Sequence, residues 1–227
     1  MNRSDIHSYL AMNIVEGDEE NLVDMTAYIV KCVGDREFGR AATSPARDDL
    51  FDEPEDSMPL DAKDRAGFHS SVAQLLYLCK RTRVESLCAV NHLSSRVAKS
   101  TKDDDTKLER VLNYLHHTKD KKLVMKKGGV VGMEAFIDAS FGAHADGRSR
   151  TGVAIVMCGV CVGAWLSKQK LNTKSSTEAE IVGLSDGLSH VIWMREPTVG
   201  TRLHFAADQG APGQPGCTEY HATGEKP

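Results

Sequence analysis

The hydrophobic period of this 227-residue chain changes twice, and the two changes set the order of its secondary-structure elements. Between residues 64 and 118 apolar residues recur at helical spacing, between residues 121 and 168 they alternate, and after residue 175 helical spacing returns. A period near 3.6 predicts helices, and a period near 2 predicts strands. The chain is therefore expected to form a helical part, then several strands, and then one long helix.

Three helices are expected in the first part, because each apolar set there falls on one helical face. The sets are Phe68, Val72, Leu75, Leu76 and Cys79; Leu87, Val90, Leu93 and Val97; and Leu108, Val111, Leu112 and Leu115. Three consecutive acidic residues, 103–105, precede the last set, where they oppose the positive end of a helix dipole. Residues 61–120 are thus interpreted as a helical segment.

The residues upstream have a weaker pattern. Residues 6–14 are expected to form a short strand, and residues 21–33 a helix. Residues 41–63 hold three prolines and many acidic side chains with little apolar periodicity, which is typical of a linker or long loop. A structural boundary is therefore expected between residues 41 and 63. The first segment of the chain is accordingly taken as residues 1–60.

Four short runs after residue 121 are rich in β-formers and separated by Gly or polar turns: KLVMKK, MEAFIDAS, TGVAIVMC and CVGAWLSK. Such runs predict an antiparallel meander. A helix follows, with its apolar stripe at Ile181, Leu184, Leu188, Val191 and Ile192. The fold class is therefore α+β or α/β over residues 121–195, and residues 196–227, which lack periodicity, are expected to be disordered.

Composition excludes several classes of protein. The chain contains no apolar run long enough to span a membrane and no secretion leader, and its six scattered cysteines suit buried thiols in a reducing compartment. An intracellular protein is expected, without a choice between cytoplasm and nucleus. The net charge is −9 over residues 1–60 and +7 over residues 61–128. The basic segment could face a phosphate backbone or could be an ordinary solvated helical surface.

Two acidic residues are candidates for a metal site. Asp138 ends an apolar strand, where it is either a solvated turn residue or a buried carboxylate that needs a partner. Glu178 fits a capping box opened by Ser175 or Ser176, so capping accounts for it. Glu180 instead shares a helical face with two glycines, 183 and 187, which would let the helix lie close to a sheet. If that sheet contains Asp138, the two carboxylates can converge on Mg²⁺.

The order of these motifs resembles the ribonuclease H domain of Pol polyproteins from copia-type LTR retrotransposons. The matching stretches are IDAS, DGRSRTGVAIVM, WLSKQKLNTKSSTEAEIVGLSDG and VIWMR. Upstream stretches such as HSYLAMNI, FHSSVAQLLYLCKRTR and KLERVLNYLHHTKD are similar to the end of the reverse transcriptase and its connection to ribonuclease H. The resemblance implies a helical connection segment followed by a truncated ribonuclease H-like domain.

The resemblance also implies an activity and its residues. Asp138 and Glu180 would be catalytic carboxylates that bind Mg²⁺ or Mn²⁺ in a two-metal site, and Asp208 is a weaker candidate for the third. The substrate would be the RNA strand of an RNA/DNA hybrid, and the remainder of the Pol polyprotein would be a partner in an intact element. Candidate nucleic-acid-binding residues are Lys168, Lys170, Lys174, Arg81 and Arg83.

Some departures from the family pattern leave an alternative open. Asp208 is followed by Gln209 without the family's intervening Asn, Ala11 stands where the family usually has Gly, and no Asp-Asp polymerase signature is found. A decayed copy would lack hydrolytic activity. The alternative is therefore a catalytically dead remnant that binds nucleic acid or another protein.

Overall fold

The computed structural model describes residues 6–127, 132–143, 146–195, 201–206 and 217–221. Within these ranges the chain forms five α-helices and nine strands in two sheets, which is a mixed α and β architecture. The chain divides into two compact units, residues 1–125 and residues 126–227. Each unit has its own sheet, with four strands in the first and five in the second.

The first sheet begins with a tight hairpin. Strands β1 (Ile6–Tyr9) and β2 (Met12–Glu16) pair antiparallel, and β3 (Glu20–Asp24) pairs antiparallel with β2. Leu10 and Ala11 connect β1 and β2 with φ angles of 50° and 62°. Positive φ at both turn residues is the geometry of a two-residue hairpin loop. The single strand expected over residues 6–14 is therefore two strands.

The helix expected over residues 21–33 is wrong in its first half, because β3 occupies that part and α1 spans only Thr26–Val33. Strand β4 (Leu123–Lys126) adds to the far side of β3 and completes the four-stranded sheet. The run KLVMKK is thus a strand, as expected. It belongs to this first sheet, whereas the sequence placed it in the meander.

The three helices expected after residue 61 are confirmed. They are α2 (Ala62–Cys79), α3 (Leu87–Arg96) and α4 (Lys102–His117). Thr101 caps α4 in a capping box, since its side chain accepts from the Asp104 backbone N–H and the Asp104 carboxylate accepts from the Thr101 backbone N–H. The apolar faces of the helices form the buried core of this unit: Phe68, Val72, Leu75, Leu78, Val90, Leu93, Leu108, Val111, Leu112 and Leu115.

Of the two interpretations of residues 41–63, a linker or a long loop, the structure shows a long loop that leads to α2 at Ala62 and packs within its own unit. Leu50 and Leu60 are buried, and the segment is hydrogen-bonded along α4: the Ala42 backbone N–H donates to Asn113 Oδ1 (3.0 Å), and Lys107 Nζ donates to the Asp52 carbonyl (2.7 Å). Apolar periodicity could not reveal this packing, because side chains of α4 hold the segment mainly by its backbone. The segment lies inside the first unit, whose boundary with the second falls after residue 125.

The charge asymmetry along the sequence is partly cancelled within this unit. An acidic residue of the first 60, Glu53, pairs with two basic residues of the helical segment, Arg96 and Lys99 (3.7 Å to the Lys99 ammonium). Arg96 also binds Asp104 (3.2 Å), and both side chains are buried. Several of the charges that suggested a phosphate-binding surface are therefore neutralised by neighbouring side chains.

The second unit contains the expected antiparallel meander. Strands β5 (Met133–Ser140), β6 (Arg150–Met157) and β7 (Val160–Lys168) pair in sequence order. Cys158 and Gly159 form the two-residue turn between β6 and β7, with φ angles of 52° and 80°. In β5, alternate residues from Met133 to Ala139 are buried, which is the period-2 pattern seen in the sequence.

Helix α5 (Ser176–Arg195) packs on β5 and β6. The apolar core between helix and sheet contains Met133, Ala135, Ile137, Val153, Ile155 and Val191. Beyond α5, strand β8 (Thr201–Ala206) pairs parallel with β5, and β9 (Cys217–His221) pairs antiparallel with β8. The expectation of a disordered region after residue 195 is therefore corrected at these two strands, whose short runs sequence periodicity did not single out.

Candidate metal and nucleic-acid site

The start of α5 is fixed by two side chains. Ser175 Oγ accepts a hydrogen bond from the Glu178 backbone N–H (3.2 Å), and the Glu178 carboxylate accepts one from the Lys174 backbone N–H (2.7 Å). Each cap of this kind satisfies an N–H group that has no partner inside the helix and contributes about 1 kcal/mol. The predicted capping role of Glu178 is confirmed, with Ser175 as the cap residue.

Two glycines let α5 lie close against the sheet. A Cβ atom at Gly183 would stand 3.2 Å from the Cβ of Ala139, and one at Gly187 would stand 2.8 Å from the Cδ1 of Ile137. Such distances leave no room for a larger side chain in a close-packed interior. The predicted glycine face is therefore confirmed, and the strand that it contacts is β5, which carries Asp138.

A buried glutamine joins the end of β7 to α5. Gln169 is fully buried, and its Nε2 donates to Thr151 Oγ1 (3.0 Å) and to the Ala179 carbonyl (2.8 Å). Nearby, the buried hydroxyls of Ser149 and Thr173 are hydrogen-bonded to each other (2.8 Å). Sequence reasoning missed these positioning residues, although the Ser-Lys-Gln strand end was one of the family motifs and could have indicated Gln169.

Asp138 and Glu180 lie at the same end of the helix–strand pair. Gly187 contacts Ile137 and Gly183 contacts Ala139, so the start of α5 lies toward the end of β5. Asp138 is exposed, and strand alternation directs its side chain to the sheet face opposite α5. Glu180 is half-buried beside that helix–sheet contact. The structure thus brings the two elements together, with the carboxylates on different sides of the strand.

A third carboxylate is not found nearby in the described part of the chain. Asp208 lies outside the described residues, and within those residues no group of three or more His, Cys, Asp or Glu side chains could hold a metal ion. Asp186 on α5 is exposed and lines a separate cavity. The described residues therefore supply two candidate ligands, Asp138 and Glu180.

The three lysines predicted to bind nucleic acid are all exposed. Lys168 Nζ lies 2.6 Å from Asp146 Oδ2, and this hydrogen-bonded ammonium holds the pKa of the Asp146 carboxyl below its usual value. The positive charge of Lys168 is therefore partly neutralised by the Asp146 carboxylate. Lys170 and Lys174 have no ion pair among the described residues, so they are the better placed of the three to meet a phosphate.

A small cavity of about 220 Å³ lies beside these lysines on the α5 side of the sheet. Trp165 and His190 stack in its wall, with ring centroids 4.3 Å apart and planes inclined by 14°. Lys168, Lys170 and Asp186 also line it. Proteins that bind single-stranded nucleic acids combine aromatic side chains, on which bases stack, with cations that contact the phosphates.

The two arginines predicted to bind nucleic acid differ in their surroundings. Arg83 is buried; its Nε binds Glu85 Oε1 (2.7 Å) and its terminal nitrogens donate to the carbonyl and hydroxyl of Thr118. A guanidinium enclosed in this way presents little of its charge to a phosphate, so its surroundings weigh against the nucleic-acid contact predicted for Arg83. Arg81 is half-exposed and stacks on the ring of Tyr77 at 3.4 Å.

Curated relatives of the chain include two transposon proteins from Arabidopsis thaliana. The retrovirus-related Pol polyproteins from transposons RE2 and RE1 are 35% and 33% identical to it, each over 132 residues, which is 58% of this chain. The chain belongs to the Pol polyproteins of copia-type retrotransposons. A secreted RxLR effector protein, number 161 of Plasmopara viticola, is 31% identical over 134 residues, or 92% of its own length.

This Pol-family chain spans only 9% of the length of either Arabidopsis polyprotein. No protein-family model matches it, and no solved structure matches it. Family membership therefore rests on the curated relatives and agrees with the resemblance drawn from the ordered motifs. In the described part of this Pol-family chain, none of the helices combines the length and the apolar character needed to cross a bilayer.

Proposed function

We propose that the second unit is a ribonuclease H-type domain that hydrolyses the RNA strand of RNA/DNA hybrids with a divalent metal ion. The observation that carries the proposal is the glycine contact of α5 with β5, which seats the helix start that bears Glu180 at the strand end that bears Asp138. The order of motifs and the membership in the Pol family support it. In an intact element, the remainder of the polyprotein would be its partner.

The two carboxylates are of the donor type that magnesium prefers, and one would reach the ion from each side of β5. Mg²⁺ is commonly bound by one or two carboxylates and completes its shell with water and substrate phosphate oxygens. Asp138 and Glu180 offer such hard oxygen donors. When bound, the ion would polarise the phosphodiester and lower the pKa of a bound water. A second ion would need further donors, for which Asp208 stays the candidate, outside the described residues.

The residues around the two carboxylates have positioning and binding roles. Glu178 and Ser175 fix where α5 begins, and Gln169 holds the end of β7 to the Ala179 carbonyl, so that Glu180 occupies one position relative to the sheet. Lys170 and Lys174 are exposed beside this helix start. In the proposed complex they would contact backbone phosphates, while the hybrid would be recognised by its shape and its 2′-hydroxyls.

A second candidate function is binding without hydrolysis. It is favoured by the Trp165–His190 stack beside Lys168 and Lys170, a surface that could hold a strand without any metal. A remnant of this kind would bind nucleic acid with a strong dependence on salt. A complex with another protein that is insensitive to salt would instead favour an interaction module.

The deciding experiment is cleavage of a labelled RNA/DNA hybrid by the full chain, with Mg²⁺ or Mn²⁺ and with a chelator. Cleavage is expected only with the metal. Asp138→Asn and Glu180→Gln are each expected to lower the rate about 1,000-fold, because an enzyme-bound metal supplies several kcal/mol of transition-state stabilisation. Asp208→Asn tests the third position in the same assay.

The matched control is Glu134→Gln, which removes a carboxylate from the same strand as Asp138 and should leave the rate unchanged. Heat denaturation of every variant verifies that the fold is intact. Absence of metal-dependent cleavage by the parent chain, together with retained hybrid binding, would contradict hydrolysis and support the binding function.

A further inference from the structure

A cavity with a distinctive lining lies in the first unit. It measures about 540 Å³ and is formed between residues 38–50 and helix α4. Three arginines line it: Arg40 and Arg47 from the extended segment, and Arg110 from α4. Within the described ranges, none of the three forms an ion pair. We call this the arginine cavity.

The acidic residues in its wall are largely occupied by other cations. Asp103 is paired with Lys107 (2.7 Å), and Glu109 is paired with Arg36 (3.0 Å). Asp49 is the remaining acidic lining residue, and it is exposed. Three arginines against one carboxylate give the cavity a positive potential that favours an anion.

Arg110 is the least solvated of the three arginines. One terminal nitrogen donates to Ser44 Oγ (3.1 Å), while its Nε is shielded from solvent and has no acceptor. A charged donor that is buried without a partner is unfavourable. An oxyanion in the cavity would lower this cost by placing negative charge beside the guanidinium, whereas an apolar ligand would not.

The size and the remaining walls of the cavity limit what the anion can be. A volume of about 540 Å³ is within the usual range for small-molecule sites. Phe38 and Pro45 contribute an apolar wall, and Phe38 is held against the ring of His116 at 5.4 Å. The lining therefore combines a cationic part with an apolar part.

We propose that the arginine cavity binds a phosphate group carried by a nucleotide or by a nucleic-acid backbone. Guanidinium groups bind phosphate through paired, charge-assisted hydrogen bonds, and three of them can surround one phosphate. The apolar wall then accommodates the attached sugar or base. This inference concerns the first unit and does not depend on hydrolysis by the second.

The test is isothermal titration of the full chain with pyrophosphate, adenosine monophosphate and a short single-stranded DNA, at low and moderate salt. Arg40→Gln and Arg47→Gln change exposed side chains and should not alter the fold. Each is expected to weaken binding about tenfold, the usual loss for a charge-assisted hydrogen bond. Lys63→Gln is the control, because it removes one exposed positive charge from α2 outside the cavity.

The probes also separate the two sources of phosphate. Binding of pyrophosphate and the mononucleotide, weakened by both arginine variants and not by the control, supports a small-molecule site. Binding of DNA alone with the same pattern supports a backbone site. Failure of all three probes to bind, or equal binding by parent and arginine variants, overturns the proposal. Asp138→Asn should leave this binding unchanged even if it abolishes hybrid cleavage.

Discussion

Replacing Arg83 with Gln should destabilise the first unit and should leave the result of a nucleic-acid-binding titration unchanged. Only 2% of the Arg83 side chain is accessible to solvent, and the guanidinium joins the residues after α2 to the end of α4 through Glu85 and Thr118. Its charge is also 5.5 Å from the ring of Tyr114. The side chain is therefore a structural link between two helix ends.

The expected loss of stability is about 3 kcal/mol. Each of the two hydrogen bonds from the charged guanidinium to Thr118 contributes about 1.5–3 kcal/mol. The ion pair adds less than about 1 kcal/mol, because 37% of the Glu85 side chain is exposed and solvent screens it. Glutamine can replace part of one bond at most. For a unit of this size, the midpoint of heat denaturation should fall by roughly 10 °C.

Arg81→Gln is the matched control for this experiment. It makes the same chemical change two residues earlier, on a half-exposed arginine that stacks on Tyr77, so its cost should be below about 1 kcal/mol. Urea denaturation followed by circular dichroism gives the free energies, and a hybrid-binding titration gives the affinities. If Arg83→Gln unfolds like the parent chain but binds the hybrid more weakly, the structural role of Arg83 is refuted.

Three further predictions concern single residues. Ala11→Gly should raise the free energy of unfolding, measured by urea denaturation, by about 0.5–1 kcal/mol. The φ of 62° strains alanine by about 1–2 kcal/mol, and glycine relieves this strain. Part of the benefit is lost because glycine makes the unfolded chain more flexible. Gly67 in α2 has open space around it, so Gly67→Ala should stabilise the folded chain by about 1 kcal/mol. Gly183→Ala should give no stabilisation or should destabilise the chain, because the new Cβ would crowd Ala139. The same urea denaturation curves compare the two variants. Iodoacetamide at pH 8 should modify the exposed Cys88 in the folded chain, and it should modify Cys32 only after denaturant is added. Burial shields Cys32 and raises its thiol pKa to about 11. Peptide mass spectrometry would detect the difference.

Periodicity predicted the elements whose partners are close in sequence. The helices containing Leu75, Leu93 and Leu112 and the strands of the β5–β7 meander follow directly from apolar spacing, because each buries one face against a neighbour. The strand around residues 201–206 could not be predicted in this way. Its position depends on pairing with β5, more than 60 residues earlier, and local spacing carries no information about such a partner.

The site was predictable to the extent that it depends on helix geometry. Ser175, Glu178, Gly183 and Gly187 lie on one helix, so their roles follow from positions within it. The burial of Arg83 depends on Thr118, 35 residues away, and the charge count of the segment gave no sign of that partner. Basic residues in a sequence are therefore weak predictors of a phosphate-binding surface until their own carboxylate and carbonyl partners are known.

The two glutamates at the start of α5 show how a cap can divide apparently equivalent residues. Glu178 and Glu180 flank the buried Ala179, one on each side, so their distance along the chain from a buried residue does not separate them. Glu178 is the third residue of the helix, the position from which a side chain can turn back to the N–H groups before it. Its carboxylate is engaged there by the Lys174 N–H, and Glu178 is exposed, whereas Glu180 is half-buried. Of the two, Glu180 is therefore the carboxylate that hydrolysis would use, and Glu178→Gln should affect helix stability more than any metal-dependent rate.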